Sequence, residues 1–583
     1  MGRVSMVVDR DVEAQMRDGT ILRADVYRPA VPGPVPTLLM RTPYDRSQPM
    51  AVGANPDPLS ATARGYAVVM QDVRGRYGSD GRFVPFVHEA NDGYDTVEWL
   101  AAQPWCDGNV GMYGTSYVGY TQWMAASQQP PHLRAIAPVV ATSDLHDHWV
   151  YEGGAQSLWF DVSWLMVSLG PDLLEKLLPG DTARAARLTA AIDHMGDHVP
   201  ASQGAVPHVF DDAQSADIYR TWLAHPERDD FWKALSPREA HSRIQVPVFN
   251  SAGWFDVFIG GSLANHAGMT GPAATAAARG GSRLVVGPWR HAQPLLADPA
   301  GQVTYGLGST AGGMDLVGLQ MAFFDRWLRG ADAPAPEADP PVRLFILGED
   351  RWRSEEAWPL ARAVSTDYHL RSSGAANSLG GDGRLDVAAP AADEPADTFL
   401  ADPRDPVPTI GGNLCCWQIV NEPGSFDQRG VEEREDVLVY STPPLTADLE
   451  VTGPVRLRVF VSSEAPDFDV TAKLMDVRPD GRAFNLAEGI RRVRYRNGTD
   501  HAEPLPVGKV ADIEVDLIAT ANLFRAGHQI RLEVAASNWP RFDANPQTGA
   551  AAAAGSTPRV ARHTVHHDAA HPSRLVLPVV PRG

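Results

Sequence analysis

Val110-Gly-Met-Tyr-Gly-Thr-Ser-Tyr-Val-Gly119 decides how this chain is read. It opens with a short apolar run that suits a buried parallel strand. Gly114-Thr-Ser-Tyr-Val-Gly119 follows, and a helical pattern then runs from Tyr117 to about Gln128. A serine between strand and helix is held on a tight turn with its hydroxyl above the sheet, the arrangement of an activated nucleophile. The usual G-x-S-x-G spacing is not kept, since Val118 takes the second glycine's place and Gly119 comes one residue late. A serine that merely caps the helix is the plainer reading of the motif taken alone.

The same texture extends outward. Thr37–Arg41, Tyr66–Met70 and Ala135–Val140 are further apolar runs, with a helical pattern over Asn91–Ala102. Strand and helix in alternation imply an α/β layer fold with a mainly parallel sheet. From 146 to 241 strand-like runs almost vanish, and segments such as Asp172–Leu178 show helical spacing, so this region reads as a helical insertion. The α/β pattern returns with Val246–Asn250 and Arg283–Val286 and closes with Val342–Leu347 as its last strand. Beyond 350, alternating runs such as Val455–Val461 and Ile530–Val534, separated by turns such as Pro479-Asp-Gly481, predict a β-sandwich. The expected segments are 1–145 and 242–350 for the α/β domain, 146–241 for the insertion and 351–583 for the β domain. Gly330–Pro341 reads as a surface connection and the Ala550–Ala554 run as a loop.

Of 583 residues, 44% are hydrophobic and 21% charged, which excludes disorder as the main state. The net charge of −20 repels phosphate backbones and anionic membranes, so neither nucleic acid nor membrane is an expected partner. No apolar run is long enough for a membrane span, and the first residues lack a signal-peptide core. The three cysteines, Cys106, Cys415 and Cys416, make no disulfide framework and no zinc spacing. A cytoplasmic location is the expectation. Asp72, Asp80, Glu89, Asp92 and Asp95 read as a solvated acidic face with a helix N-cap rather than a metal site.

A neutral serine needs a base, and the base an orienting acid. Two candidates stand just after later strands: Asp256 in Gly253-Trp-Phe-Asp256 and His291 in Gly287-Pro-Trp-Arg-His291. The order Ser116, Asp256, His291 is that of α/β-hydrolases. Position after a strand singles out His291 among 18 histidines.

The chain resembles the cocaine esterase family of serine hydrolases, relatives of X-Pro dipeptidyl peptidases and α-amino acid ester hydrolases. The likeness spans nearly the whole chain. It is carried by Met16-Arg-Asp-Gly-Thr-Ile-Leu-Arg-Ala-Asp-Val-Tyr-Arg-Pro29, Arg41-Thr-Pro-Tyr-Asp-Arg46 and Asp72-Val-Arg-Gly-Arg-Tyr-Gly-Ser-Asp-Gly81. Gln103-Pro-Trp-Cys-Asp-Gly-Asn-Val-Gly111, Gly527–Leu532 and Ser537–Asp543 continue it. Gly-x-Ser-Tyr-x-Gly is that family's form of the elbow. The resemblance implies an α/β-hydrolase domain, a helical cap inserted into it and a C-terminal jelly-roll-like β domain. It implies Ser116 as nucleophile, His291 as base, Asp256 as orienting acid, and an oxyanion hole from the Tyr44 hydroxyl and the Tyr117 backbone N–H. It further implies that Trp149, Trp164 and Phe258 line an aromatic acyl pocket, which Cys415 and Cys416 complete with smaller side chains than the family has there.

No carboxylate follows Asp256 in Val257-Phe-Ile-Gly260, so nothing there would pair with a substrate ammonium. The expected activity is therefore a serine carboxylester hydrolase for aromatic or medium-sized acyl groups, working through an acyl-enzyme without metal or organic cofactor. An X-Pro dipeptidyl peptidase or amide acylase with the same triad is the alternative. The partner expected is a small-molecule ester, and apolar segments of the β domain are compatible with a homodimer.

Overall fold

The computed structural model describes residues 5–48, 55–194, 196, 213–271, 275–291, 299–330, 340–390, 394–415, 422–550 and 556–581. Cys416, most of the 330–341 connection and all but the first residue of the Ala550–Ala554 run lie outside these.

Strands β1 (Met6–Gln15), β2 (Ile21–Pro29), β3 (Val35–Thr42) and β4 (Ala67–Asp72) lead into β5 (Cys106–Thr115) and β6 (Leu133–Val139). Between them lie helices α1 (Pro58–Ala63), α2 (Glu89–Ala101) and α3 (Tyr117–Ser127). A stretch with two-residue strands β7 (Tyr151–Glu152) and β8 (Ala155–Gln156) follows. It carries helices α4 (Leu158–Ser163), α5 (Gly170–Leu177), α6 (Thr182–Asp193), α7 (Ala213–Ala224) and α8 (Asp230–Ala234). The chain then returns to the sheet with β9 (Phe249–Phe255), β10 (Arg283–Arg290), β11 (Val342–Ile346) and β12 (Arg351–Glu355).

These strands form one ten-stranded sheet in the order β1-β2-β4-β3-β5-β6-β9-β10-β11-β12. From β4 to β11 neighbours run parallel, and β1/β2, β2/β4 and β11/β12 are antiparallel. The parallel strands are buried almost throughout, as continuous apolar runs require. Two features depart from the sequence reading. The β1–β2 hairpin is an added antiparallel edge, half-exposed and therefore without a continuous apolar run. At the other end Val342–Ile346 is followed by one more strand, β12, so the sheet runs past residue 350. The stretch between β6 and β9 is mainly helical but holds the small β7–β8 pair.

The C-terminal region is β-rich, with strands from Val364 to Val580 joined in an eleven-stranded sheet. In the long strand Leu449–Ser463, Val455, Leu457, Val459 and Val461 are buried and alternate with half-buried Arg456, Arg458 and Phe460. That is the period-two pattern of a sheet with one face in the core. The two regions interlock. Leu347 pairs with Asn522, Asp256 with Leu414, and the Trp159 N–H donates to the Pro540 carbonyl at 3.0 Å. Buried Arg541 forms ion pairs with Glu488 of the β region and, at 3.0 Å, with Glu152 of the stretch between β6 and β9.

Candidate active site

The end of β5 forces the geometry. Ser116 sits between β5 and α3 with φ 64° and ψ −125°, a left-handed conformation rare outside glycine. Holding it costs on the order of 1–3 kcal/mol, which the surrounding packing must offset. Glycine is needed on both sides. Gly114 has φ 137°, and a Cβ on Gly119 would run into the Cβ of Ala141.

Ser116 Oγ lies 2.9 Å from His291 Nε2, and His291 Nδ1 lies 2.7 Å from Asp256 Oδ2. His291 stands immediately after β10 and Asp256 immediately after β9. Ser116, Asp256 and His291 are 8%, 0% and 3% exposed, so water competes little for these hydrogen bonds. The second carboxylate oxygen of Asp256 accepts the Phe258 N–H at 2.6 Å. Asp256 is placed to accept the Nδ1–H of His291, the tautomer that turns Nε2 toward the serine hydroxyl.

Tyr44 is half-buried overall, with its hydroxyl end enclosed and within hydrogen-bond reach of Ser116. Burial pushes the hydroxyl up to about 12, against the pull of hydrogen bonds with Trp164 and Ser116. It therefore stays protonated, and able to donate, through the neutral and mildly alkaline range. The indole N–H of Trp164 donates to the Tyr44 oxygen at 2.9 Å, leaving the Tyr44 O–H to point elsewhere. Tyr117 is the first residue of α3, so its backbone N–H has no acceptor within the helix.

Aromatic rings wall this constellation. Phe258 meets His291 edge-on with centroids 5.1 Å apart, and Trp149 lies 4.8 Å from Phe258 and 5.4 Å from Trp164. Trp149 and Trp164 both belong to π-helical turns, His146–Val150 and Trp164–Leu169. Such turns are frequent at functional sites. Cys415 is buried in the same cluster and is disulfide-bonded, a single bond where the sequence reading expected no disulfide framework; Cys106 is buried and free. Cys416 lies outside the described residues. Phe86, Phe160 and Leu414 share the cluster and carry no sequence signal that marks them. Phe86 and Phe160 lie 4.9 and 5.1 Å from Trp149.

The acidic stretch is only in part the solvated face expected of it: Asp80 is exposed and Asp95 half-buried, whereas the other three are enclosed. Asp72, Glu89 and Asp92 are buried. Asp72 pairs with Arg46, Glu89 with Arg41 at 2.8 Å, and Asp92 with Arg74 at 2.6 Å. Their arginine partners lie 18 to 48 positions away, beyond the reach of local spacing. The residue at the α2 N-cap is His88, with no side-chain cap.

Comparison with known proteins fits this arrangement. Residues 18–293 match the family model of the X-Pro dipeptidyl-peptidase (S15 family), and residues 335–576 that of the X-Pro dipeptidyl-peptidase C-terminal non-catalytic domain. The cocaine esterase of Rhodococcus sp. (strain MB1 Bresler) is 39% identical over 590 residues, covering 99% of each chain. The chain belongs to the cocaine esterase family. Membership makes it a serine hydrolase acting on ester or peptide bonds. Two solved structures share 25% identity with this cocaine esterase family member. One is an aminopeptidase from a marine sediment archaeon, Thaumarchaeota archaeon, with a TM-score of 0.81 over 99% of this chain and 97% of the other. The second is an α-amino acid ester hydrolase, with a TM-score of 0.79 over 98% of this chain and 96% of the other. The cocaine esterase family fold is thus α/β-hydrolase-like with a separate C-terminal β-rich domain. Among the described residues no helix is long and apolar enough to cross a membrane.

Proposed function

We propose that this protein is a serine carboxylester hydrolase that cleaves esters with an aromatic or medium-sized acyl group through an acyl-enzyme on Ser116. The observation that carries the reading is the hydrogen-bonded chain Ser116–His291–Asp256 set against Phe258 and Trp149. Ser116 Oγ attacks the ester carbonyl while His291 Nε2 takes its proton. The oxyanion accepts hydrogen bonds from the Tyr44 hydroxyl and the Tyr117 N–H. His291 then gives its proton to the leaving alkoxide. A water attacks the acyl-enzyme, its proton passes to His291 and on to Ser116, and the carboxylic acid departs. These steps call for no metal or organic cofactor. Helices α4 to α8 serve as a cap over the site, and a jelly-roll-like β domain supports it.

The names of the two 25%-identical relatives speak of amino-acyl or peptide substrates. Such substrates need an anionic group for their ammonium. Here Asp256 is followed by Val257, Phe258 and Ile259, and the Phe258 ring closes on His291. The test is kcat/KM for phenyl benzoate against an Ala-Pro-anilide on one preparation at neutral pH. Preference for the ester by several orders of magnitude supports the reading. Comparable or faster anilide cleavage overturns it in favour of a peptidase.

Trp149→Leu checks the acyl pocket. It removes the ring that packs at a tilt against Phe258 and leaves the triad intact. The preference for a benzoyl over an acetyl ester is expected to fall about tenfold, equivalent to about 1.4 kcal/mol of lost discrimination. An unchanged benzoyl-to-acetyl ratio of kcat/KM would take Trp149 out of the pocket.

A further inference from the structure

The two oxyanion donors come from different parts of the chain. Tyr44 follows β3, and Tyr117 begins α3. Their spacing must match one oxygen atom, and donors misplaced by about 1 Å cost on the order of a hundredfold in rate. A buried network joins them from behind. Arg41, on β3 three residues before Tyr44, is fully buried, and its Nη1 donates to Glu89 Oε2 at 2.8 Å. The other Glu89 oxygen, Oε1, accepts the Tyr117 hydroxyl at 2.9 Å. The same hydroxyl accepts the Phe86 N–H at 2.8 Å, so Tyr117 is held through both its donor and its acceptor. With only two side-chain torsions, a ring fixed at its hydroxyl fixes the backbone that bears it.

We propose that Glu89 is a positioning residue that sets the spacing of the two oxyanion donors, by bridging Arg41 on the strand that leads to Tyr44 to the hydroxyl of Tyr117. The proposal rests on the oxyanion-hole reading given above. Further contacts make both arms stiff. Arg41 Nε is tied to Gln71 at 2.9 Å, and Gln71 to Thr96 of α2 at 3.0 Å. On the Tyr44 side, Arg76 holds the Pro43 carbonyl at 2.8 Å and Thr42 Oγ1 accepts the Tyr44 N–H at 3.0 Å. On the elbow side, Phe86 is in a left-handed conformation, φ 73°, and stacks on Tyr117 at 5.1 Å. Stability alone is a weak reason for such a group. A buried ion pair adds little over an apolar pair of the same size, because desolvating both charges offsets their attraction. Burial raises the proton affinity of the Glu89 carboxyl, while Arg41 and the Tyr117 hydroxyl work against that rise. The hydrogen bonds of the Glu89 carboxylate go to Arg41 and Tyr117, so its effect on rate is expected to pass through Tyr117 and β3.

Two variants test this. Glu89→Gln keeps the shape but turns one acceptor into a donor, so Arg41 or Tyr117 loses its partner. Tyr117→Phe removes the same link from the other end. Each is expected to lower kcat on phenyl benzoate by roughly 10- to 100-fold with KM nearly unchanged. Phenylboronic acid supplies the readout that a merely structural role would leave alone. Its boron takes the Ser116 oxygen, whose proton passes to His291, and a boron-bound oxygen enters the hole. Its affinity should fall by the same factor as kcat, while inhibition by benzoate stays put. The double variant should lose no more than either single one. The proposal is overturned if folded Glu89→Gln or Tyr117→Phe keeps parental kcat, if boronate affinity is retained, or if the two losses multiply. Tyr117→Phe decides the matter should Glu89→Gln fail to fold. Tyr44→Phe separates the two levels. Full activity in Tyr44→Phe removes the oxyanion reading itself. A loss there with none in Glu89→Gln and Tyr117→Phe removes only the positioning role.

Discussion

Ser116→Ala is expected to lower kcat by roughly 10⁴–10⁶ while the protein stays folded. The size follows from the geometry. His291 Nε2, 2.9 Å from the serine oxygen, loses the hydroxyl it is placed to activate once Ser116 is gone. What would remain is the proposed oxyanion hole and substrate binding, which act on a water attacking unaided. The fold should survive because alanine accepts the left-handed turn about as poorly as serine does, and Ser116 Oγ makes its hydrogen bonds inside the site. Steady-state kinetics and a thermal melt on the same sample check both halves. Turnover near the parental rate in a folded variant would sink the nucleophile assignment. A fluorophosphonate probe gives an independent reading: it should label the parent at Ser116 and leave the variant unlabelled.

Tyr44→Phe is expected to cost about 10²–10³ in kcat, with a smaller effect on KM. In the proposed oxyanion hole the hydroxyl would donate to charge that exists only after attack, so it would contribute to the transition state and little to ground-state binding. The variant carries a second cost. The Trp164 indole N–H loses its acceptor inside a buried cluster, which destabilises the protein by about 1–3 kcal/mol. That penalty appears in a melting curve, whereas the loss of kcat persists well below the melting temperature. Unchanged kcat would remove Tyr44 from the oxyanion hole.

Much of this site is legible along the chain because the α/β fold places it by rule. Ser116, Asp256 and His291 each stand just past the end of a parallel strand, and strands of this kind announce themselves as apolar runs. The walls of the site obey no such rule. Phe86 lies in a loop, Phe160 in the stretch between β6 and β9, and Leu414 in the β-rich region. Each reaches the cluster by tertiary packing that leaves no periodic trace. The acidic stretch shows the same limit from the side of charge. Glu89, Asp92 and Asp72 read as solvated when taken with their neighbours, because the arginines that bury them stand elsewhere. The β1–β2 and β12 edges escaped for another reason: half-exposed antiparallel strands lack the continuous apolar run by which their parallel neighbours are recognised.

The pairing of Asp256 with Leu414 joins residues made far apart in time during synthesis. The serine and the histidine leave the ribosome early, but the backbone that flanks the acid is made more than a hundred residues after it. Arg541, which ties Glu152 to Glu488, comes later still. The position of the proposed acid therefore leans on segments translated long after it.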